Sequence, residues 1–224
     1  MTAEILDCAI TAAEGQLGDM RADVDHATRG SVVTAYRGKS GAPFGMITAM
    51  AAALAGAEAE RIELWREFGC TFGILWQIFN DQEDITSGRN EDLSNGTVTY
   101  LFACALEAAP LESRERILDL HADARTSAAS RSALTGLLLA PAVLRLYEED
   151  ISTFRGEASR STRTTSVLRP GTTTTLPMAD RDRQSTQAPA CTARVRYANS
   201  CSTLLYRHRV ARLTAATPPG AHWR

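Results

Sequence analysis

Gln77, Asp81 and Asp84 are spaced by four and three residues near the end of an otherwise apolar segment. On a helix this spacing places the three side chains on one face, and Asn80 lies beside them. Two carboxylates one turn apart favour a hard cation such as Mg²⁺, which keeps some of its water and leaves positions for a substrate phosphate. The same spacing also fits a solvated acidic helix end, so the residues alone leave both interpretations open.

The elements that would carry this face are helical. Between residue 3 and about residue 154, alanine and leucine are abundant, β-branched runs are scarce, and apolar residues recur at intervals of three and four. This pattern predicts an all-α body, with the acidic face on a long helix. The predicted helices span residues 3–22, 28–37, 43–56, 58–86, 98–109, 111–128 and 132–153. Turn signals at 87–90 and 94–96 interrupt the middle of this body.

The chain divides into two parts of opposite charge. Residues 1–154 carry a balance of −11, whereas residues 155–224 hold 12 arginines and three acidic residues, a balance of +9. The second part is rich in threonine, arginine and proline and loses the helical period, which predicts an irregular tail, disordered or read from a shifted frame. The domain prediction is therefore a helical body over 1–154 and a basic tail over 155–224. The formal net charge of −2 gives no global basic field for nucleic acid.

The cysteines and the apolar runs limit the cellular setting. The longest apolar stretches, 46–57 and 68–79, are too short to span a bilayer, so no membrane-spanning segment is expected. The cysteines lack the short paired spacings of a disulfide framework or a zinc ribbon, which predicts free thiols and a cytoplasmic protein. They stand at positions 8, 70, 104, 191 and 201.

Four segments, in order along the chain, resemble motifs of the trans-polyprenyl diphosphate synthases. Residues 76–84, Trp-Gln-Ile-Phe-Asn-Asp-Gln-Glu-Asp, resemble the second aspartate-rich motif, which that family usually writes Phe-Gln-x-x-Asp-Asp-x-x-Asp. Residues 37–44 are similar to the family's Arg-Gly-Lys-Thr-x-x-Leu-Phe segment and contain Lys39, the only lysine of the chain. Residues 14–19 resemble the upstream Gly-Gln-x-x-Asp segment, and residues 92–99 resemble the downstream Asp-Leu-x-x-Gly-Lys-x-Thr segment.

The resemblance implies an isoprenoid-synthase-type helix bundle that extends an allylic diphosphate with isopentenyl diphosphate in the presence of Mg²⁺. By this resemblance Asp81 and Asp84 are metal ligands, while Lys39 and Gln77 bind diphosphate. Apolar walls from helices 43–56 and 58–79 would hold the prenyl chain. The implied partners are prenyl diphosphate substrates and a second subunit, in a homodimer or with another synthase.

Departures from the family pattern predict an impaired enzyme. Asn80 replaces the first aspartate of the motif, and Thr97 replaces a lysine. Arg89 and Asp92 are weaker site candidates, with Arg89 in a position to stand in for a lysine. No separate Asp-Asp-x-x-Asp set precedes residues 14–19, as in a synthase truncated at its N-terminus.

Two other hypotheses remain. One is a class I terpene cyclase, whose Asn-Asp-x-x-Ser-x-x-x-Glu motif begins like Asn80-Asp81 but then requires residues that differ from Asp84 and Gly88. The other is a non-catalytic subunit or remnant that binds a partner synthase through apolar helices.

Overall fold

The computed structural model describes the backbone of residues 2–167 and the side chains of residues 2–161. Every regular element in this part of the chain is helical, which confirms the predicted all-α class. None of these helices combines the length and the apolar character needed to cross a membrane. The elements are α1 (Thr2–Met20), α2 (Arg29–Tyr36), a π-helical segment (Arg37–Gly41), α3 (Ala42–Leu54), α4 (Ala59–Ser87), α5 (Glu91–Asn95), α6 (Tyr100–Ala108), α7 (Leu111–Ala124), α8 (Ala128–Leu138) and α9 (Pro141–Val167).

Local sequence explains several helix ends. Thr28 and Ser31 form a reciprocal capping box at the start of α2, and Pro43 occupies the first turn of α3. The long helix α4 ends at Gly88, whose φ of 81° lies in the left-handed region that glycine adopts without strain. These signals fix the start of α2 and the end of α4, and the acidic face lies in the last turns of α4.

The prediction of one helix over residues 132–153 is wrong. The chain forms two helices here, with α8 ending at Leu138 and α9 starting at Pro141. Proline has no N–H to donate and its ring clashes with the preceding turn, so it begins a helix far more readily than it continues one.

The last helix also runs further than predicted. α9 continues to Val167, beyond the boundary at residue 154, so an irregular tail that begins at residue 155 is wrong. Phe154 packs against the hydrophobic core, and the Arg155 guanidinium lies over the Phe79 ring at 5.8 Å from its centroid. These contacts tie α9 to the rest of the fold at the predicted boundary, and the helix continues past it. The prediction for residues 168–224 lies outside the described residues.

α6 is the centre of the hydrophobic core. Each of its first seven residues, from Tyr100 to Leu106, is at most 2% exposed, so this helix is enclosed on all sides. A helix that is apolar all round must be surrounded by other elements, and α2, α4, α7, α8 and α9 supply them. The surrounding core side chains include Ile74, Ile78, Ile117, Leu134, Leu138, Val143, Tyr147 and Ile151.

Arg29 joins α2 to two of these helices. Its Nε donates to Glu107 Oε2 of α6 at 2.6 Å, and its Nη1 donates to Asp150 Oδ2 of α9 at 2.6 Å. The Tyr100 hydroxyl donates to the same Asp150 oxygen at 2.7 Å, and burial together with this carboxylate raises the pKa of Tyr100. This network anchors the start of α2, the helix that leads directly into the π-helical segment.

The π-helical segment lies between α1 and α4 because glycines on both helices allow a close approach. A Cβ atom on Gly15 of α1 would stand 2.3 Å from the backbone N of Lys39. A Cβ atom on Gly73 of α4 would stand 2.5 Å from the backbone O of Ser40. Real Cβ atoms do not occupy such distances, so only glycine fits, and these contacts fix the backbone that carries Lys39.

His121 predicts one pH effect on stability. It is buried on α7 against the Phe102 ring, its Nε2 lies 3.3 Å from Thr97 O, and burial together with the Arg125 charge lowers its pKa below 6.5. The unfolded chain therefore binds a proton more readily than the folded one, so this residue's contribution to stability is lost as the pH falls through about 6.5.

We expect His121→Gln to reduce the loss of unfolding free energy between pH 8 and pH 5.5. Urea denaturation at each pH measures the difference between the variant and the parent chain. Parallel pH profiles for the two proteins would contradict the prediction.

Candidate functional site

The acidic face lies at the C-terminal end of α4, where α1, α2, the π-helical segment and the loop after α4 meet. Asp81 and Asp84 are each only 3% exposed, and Gln77 is half-buried beside them. The solvated helix end that spacing alone allowed is therefore wrong, because the carboxylates point into the protein. Asn80 and Glu83 are exposed instead.

Both carboxylate oxygens of Asp81 accept hydrogen bonds. Gln77 Nε2 donates to Oδ1 at 2.7 Å, and the buried Tyr36 hydroxyl donates to Oδ2 in a very short contact. Burial raises the pKa of Asp81 to about 7, while the Tyr36 and Gln77 hydrogen bonds act in the opposite direction. Burial and the Asp81 charge raise the pKa of Tyr36 as well. Asp81 is thus fixed by α2 from one side and by its own helix from the other.

Gln77 connects this carboxylate to the π-helical segment. Its Oε1 accepts a hydrogen bond from Ser40 Oγ at 2.8 Å, while its Nε2 donates a hydrogen bond to Asp81. Ser40 directly follows Lys39, so this chain of hydrogen bonds places the lysine backbone relative to the acidic face.

Lys39 reaches the same region from the opposite wall. Its Nζ donates to Asp19 Oδ2 at 2.8 Å and lies 6.0 Å from the centroid of the Tyr36 ring. The Lys39 side chain is 24% exposed and that of Asp19 only 6%, so the ammonium group lies at the border between the buried acids and solvent. Its positive charge lowers the pKa of both Asp81 and Asp92, against the stronger effect of burial.

Asp84 holds the loop that follows its helix. Its Oδ2 accepts a hydrogen bond from the backbone N–H of Asp92 at 3.0 Å, and its backbone O accepts one from Asn90 N at 3.2 Å. Its Oδ1 lies 3.4 Å from Arg89 Nε, within ion-pair distance, but the N–H does not point at it. Within the described residues, Oδ1 is therefore a buried carboxylate oxygen without a hydrogen bond.

Asp92 brings a third carboxylate near Asp84. Burial raises its pKa, and the Asp84 charge raises it further. The turn that carries it is closed by a hydrogen bond from Thr97 N to Asp92 O at 2.9 Å. The loop between α4 and α6 thus returns acidic residues to the end of α4.

The structure brings together most of the residues that the sequence singled out. Two participants had no predicted role: Tyr36, which binds Asp81, and Asp19, which binds Lys39. The sequence could have indicated Asp19, since it is the last residue of the motif-like segment 14–19. No spacing rule links Tyr36 to a carboxylate 45 positions away. The predicted residues that meet here are Lys39, Gln77, Asp81, Asp84, Arg89 and Asp92.

The donor set fits a metal held partly by water. No group of three or more His, Cys, Asp or Glu side chains in the described part of the chain is arranged to hold an ion by itself. However, the unbonded Oδ1 of Asp84 is the type of oxygen that Mg²⁺ binds, and Mg²⁺ commonly takes one or two carboxylates together with water and phosphate.

An aromatic stripe runs along α4 toward this site. Phe44 of α3 packs on it, with its ring centroid 5.3 Å from that of Phe72 and 6.4 Å from that of Trp76. Phe72 is 39% exposed and Trp76 57% exposed, one turn before Asn80. Phe72 and Trp76 thus leave exposed apolar surface on α4 before the acidic face, and such surface suits the apolar tail of a ligand.

The sequence matches the Polyprenyl synthetase family over residues 1–136. A comparison with curated proteins finds no significant match.

The fold is similar to solved prenyl synthase structures, and the chain spans about half their length. A decaprenyl diphosphate synthase from Rhodobacter capsulatus matches with a TM-score of 0.65 and 16% identity, over 72% of this chain and 52% of that one. A polyprenyl synthase from Caulobacter crescentus, complexed with calcium and isoprenyl diphosphate, matches with a TM-score of 0.65 and 14% identity, over 73% and 52%. A geranylgeranyl pyrophosphate synthetase from Pyrococcus horikoshii matches with a TM-score of 0.61 and 20% identity, over 72% and 51%.

Proposed function

Because the chain belongs to the polyprenyl synthetase family, we propose that it forms the diphosphate-binding side of a prenyltransferase site. At such a site an allylic diphosphate is extended with isopentenyl diphosphate. The bond from the allylic carbon to diphosphate breaks, a carbon–carbon bond forms, and a proton is released. The observation that carries the proposal is the position of Lys39, which is paired with Asp19 and whose charge lowers the pKa of buried Asp81 and half-buried Asp92.

Lys39 supplies positive charge to the diphosphate. In the free protein its ammonium is paired with Asp19, and its partial exposure lets phosphate oxygens approach from solvent. A compact ammonium group with three donors is suited to this task. Arg89, half exposed on the loop after α4, is the second cation available to the same ligand.

Asp84 is the direct metal ligand in this proposal, because its Oδ1 has no hydrogen bond. Asp81, predicted as the second ligand, has both oxygens occupied by Gln77 and Tyr36. Its role in the proposal is therefore to hold Gln77 in place. Bound Mg²⁺ would act as a Lewis acid that neutralises the departing diphosphate.

The aromatic stripe formed by Phe44, Phe72 and Trp76 holds the prenyl chain. Phe72 and Trp76 precede Asn80 on α4, and Phe44 of α3 packs against both rings, so an apolar tail on the stripe would extend away from the acidic end of that helix. The exposed rings and the buried acids then serve two parts of one substrate.

We also propose that the chain works as a homodimer or with another synthase subunit, in the cytoplasm. In the described part of the chain Asp81, Asp84 and Asp92 reach the site from one end of α4 and the loop after it, Asp19 of α1 is paired with Lys39, and no cluster of three ligands forms. An ionising diphosphate is best stabilised by cations held on more than one side, which a partner would supply.

Incubation with farnesyl diphosphate, labelled isopentenyl diphosphate and Mg²⁺, alone and with a full-length synthase, tests this function. We expect the chain alone to bind diphosphate weakly and to extend it slowly, with a deficit on the order of 10³ relative to the complete synthase. Brisk extension by the chain alone would contradict the need for a partner. A cyclised hydrocarbon product would favour the cyclase hypothesis, and no binding of either diphosphate would refute the proposal.

A further inference from the structure

The two carboxylate oxygens of Asp84 have different surroundings. Oδ2 is fixed by the backbone N–H of Asp92 at 3.0 Å, whereas Oδ1 accepts no hydrogen bond from the described residues and lies 3.4 Å from Arg89 Nε. The Asp84 side chain is 4% exposed and that of Arg89 is 50% exposed. A buried anionic oxygen is thus neutralised by a cation that itself stands largely in solvent.

We propose that Arg89 competes with a divalent cation for Asp84 Oδ1, and that diphosphate ends this competition by binding the Arg89 guanidinium. The inference rests on the proposed function, since it concerns the same site. It assigns Arg89 a positioning role in which metal and diphosphate each favour the binding of the other.

The backbone on both sides of Arg89 is held in place, so the exchange involves its side chain alone. Gly88 caps α4, and its carbonyl accepts a hydrogen bond from Asn90 Nδ2 at 3.1 Å. The backbone N of Asn90 donates to Asp84 O at 3.2 Å, and Thr135 Oγ1 donates to Asn90 Oδ1 at 3.4 Å. Asp84 is equally fixed through Asp92, so Oδ1 stays in place when Arg89 turns away.

The charges favour an exchange over a permanent ion pair. Arg89 Nε is not aligned with Oδ1, and a half-exposed pair of this kind contributes little to stability. A planar guanidinium binds two phosphate oxygens at once, which is a better match than its present contact. A small divalent cation in turn binds a buried carboxylate oxygen more strongly than a misaligned N–H does.

The test compares Arg89→Gln with the parent chain in two separate titrations. Binding of Mn²⁺, a spectroscopic substitute for Mg²⁺, is measured from the free-ion EPR signal without diphosphate. Binding of inorganic diphosphate is measured by calorimetry in EDTA, without metal. We expect Arg89→Gln to tighten Mn²⁺ binding by about two- to fivefold and to weaken diphosphate binding by a similar factor.

Two further variants serve as controls. Arg61→Gln removes the same charge at the opposite end of α4, so we expect it to change neither titration. Arg89→Lys keeps the charge on the same backbone but loses the planar guanidinium, so we expect its diphosphate affinity to lie between those of Arg89→Gln and the parent chain. Thermal melts establish that each variant is folded.

Opposite changes in the two titrations would support the inference. Unchanged or weaker Mn²⁺ binding in Arg89→Gln would overturn it and leave the proposed function standing. Absence of Mn²⁺ and diphosphate binding in the parent chain would overturn both.

Discussion

Magnesium-dependent binding of diphosphate should fall by about tenfold or more when Asp84 is replaced by asparagine. Asparagine can still accept the hydrogen bond from Asp92 N, so the loop after α4 keeps its anchor while the negative charge on Oδ1 is lost. The variant therefore separates the electrostatic role of Asp84 from its structural one. Calorimetric titration of diphosphate at fixed Mg²⁺ measures the change. The matched control is Asp119→Asn, which removes the same charge from an exposed position on α7.

Asn80→Asp should act in the opposite direction. Asn80 is exposed one turn before Asp84, so an aspartate there adds a charge on the solvent side of the site without burying it. We expect the magnesium-dependent binding of diphosphate to strengthen by roughly threefold.

Asp81→Ala should abolish this binding, because it leaves the Tyr36 hydroxyl and Gln77 without their shared acceptor and releases the wall that carries Lys39. Equal binding by Asn80→Asp, Asp81→Ala and the parent chain would show that the acidic face does not bind metal.

The acidic face was predictable because it depends on one local periodicity. Spacings of four and three place Gln77, Asp81 and Asp84 on one side of any α-helix, whatever surrounds that helix. The π-helical segment and the Tyr36–Asp81 contact were not predictable in the same way. Both depend on how α2 and α4 pack, which is a property of the whole fold that no short segment encodes.

The errors at the C-terminal end of the body have a related cause. Pro141 lies in a segment of continuous apolar pattern. That pattern predicted one continuous helix, although a proline in the interior of a helix is destabilising. Beyond Phe154 the pattern fades, yet α9, which packs on α4 and α6, continues to Val167. Periodicity identifies which side of a helix is buried, but tertiary contacts decide where a helix with weak pattern ends.

Gly15→Ala should destabilise the fold by about 3 kcal/mol or more. The added methyl group would stand 2.3 Å from Lys39 N and 2.6 Å from Gly38 C, and both are backbone atoms that cannot turn aside. Either α1 must move away from the π-helical segment or that segment must deform. Chemical denaturation followed by circular dichroism measures the loss.

Gly18→Ala provides the matched control on the same helix. A Cβ atom at Gly18 would meet no other atom within 4 Å, so the substitution only removes the cost of glycine inside a helix and should stabilise the fold by about 0.5 kcal/mol. If the two substitutions, three residues apart, change the free energy of unfolding in opposite directions, the close contact between Gly15 and Gly38 is what requires glycine at position 15. Equal effects would contradict that contact.

The Gly15 contact also bears on the site. Movement of α1 would carry Asp19, one turn further along the same helix, away from Lys39. Gly15→Ala should therefore weaken diphosphate binding even where the variant remains folded, whereas Gly18→Ala should leave it unchanged. A folded Gly15→Ala variant with parental affinity for diphosphate would mean that Lys39 does not depend on the packing of α1 for its position.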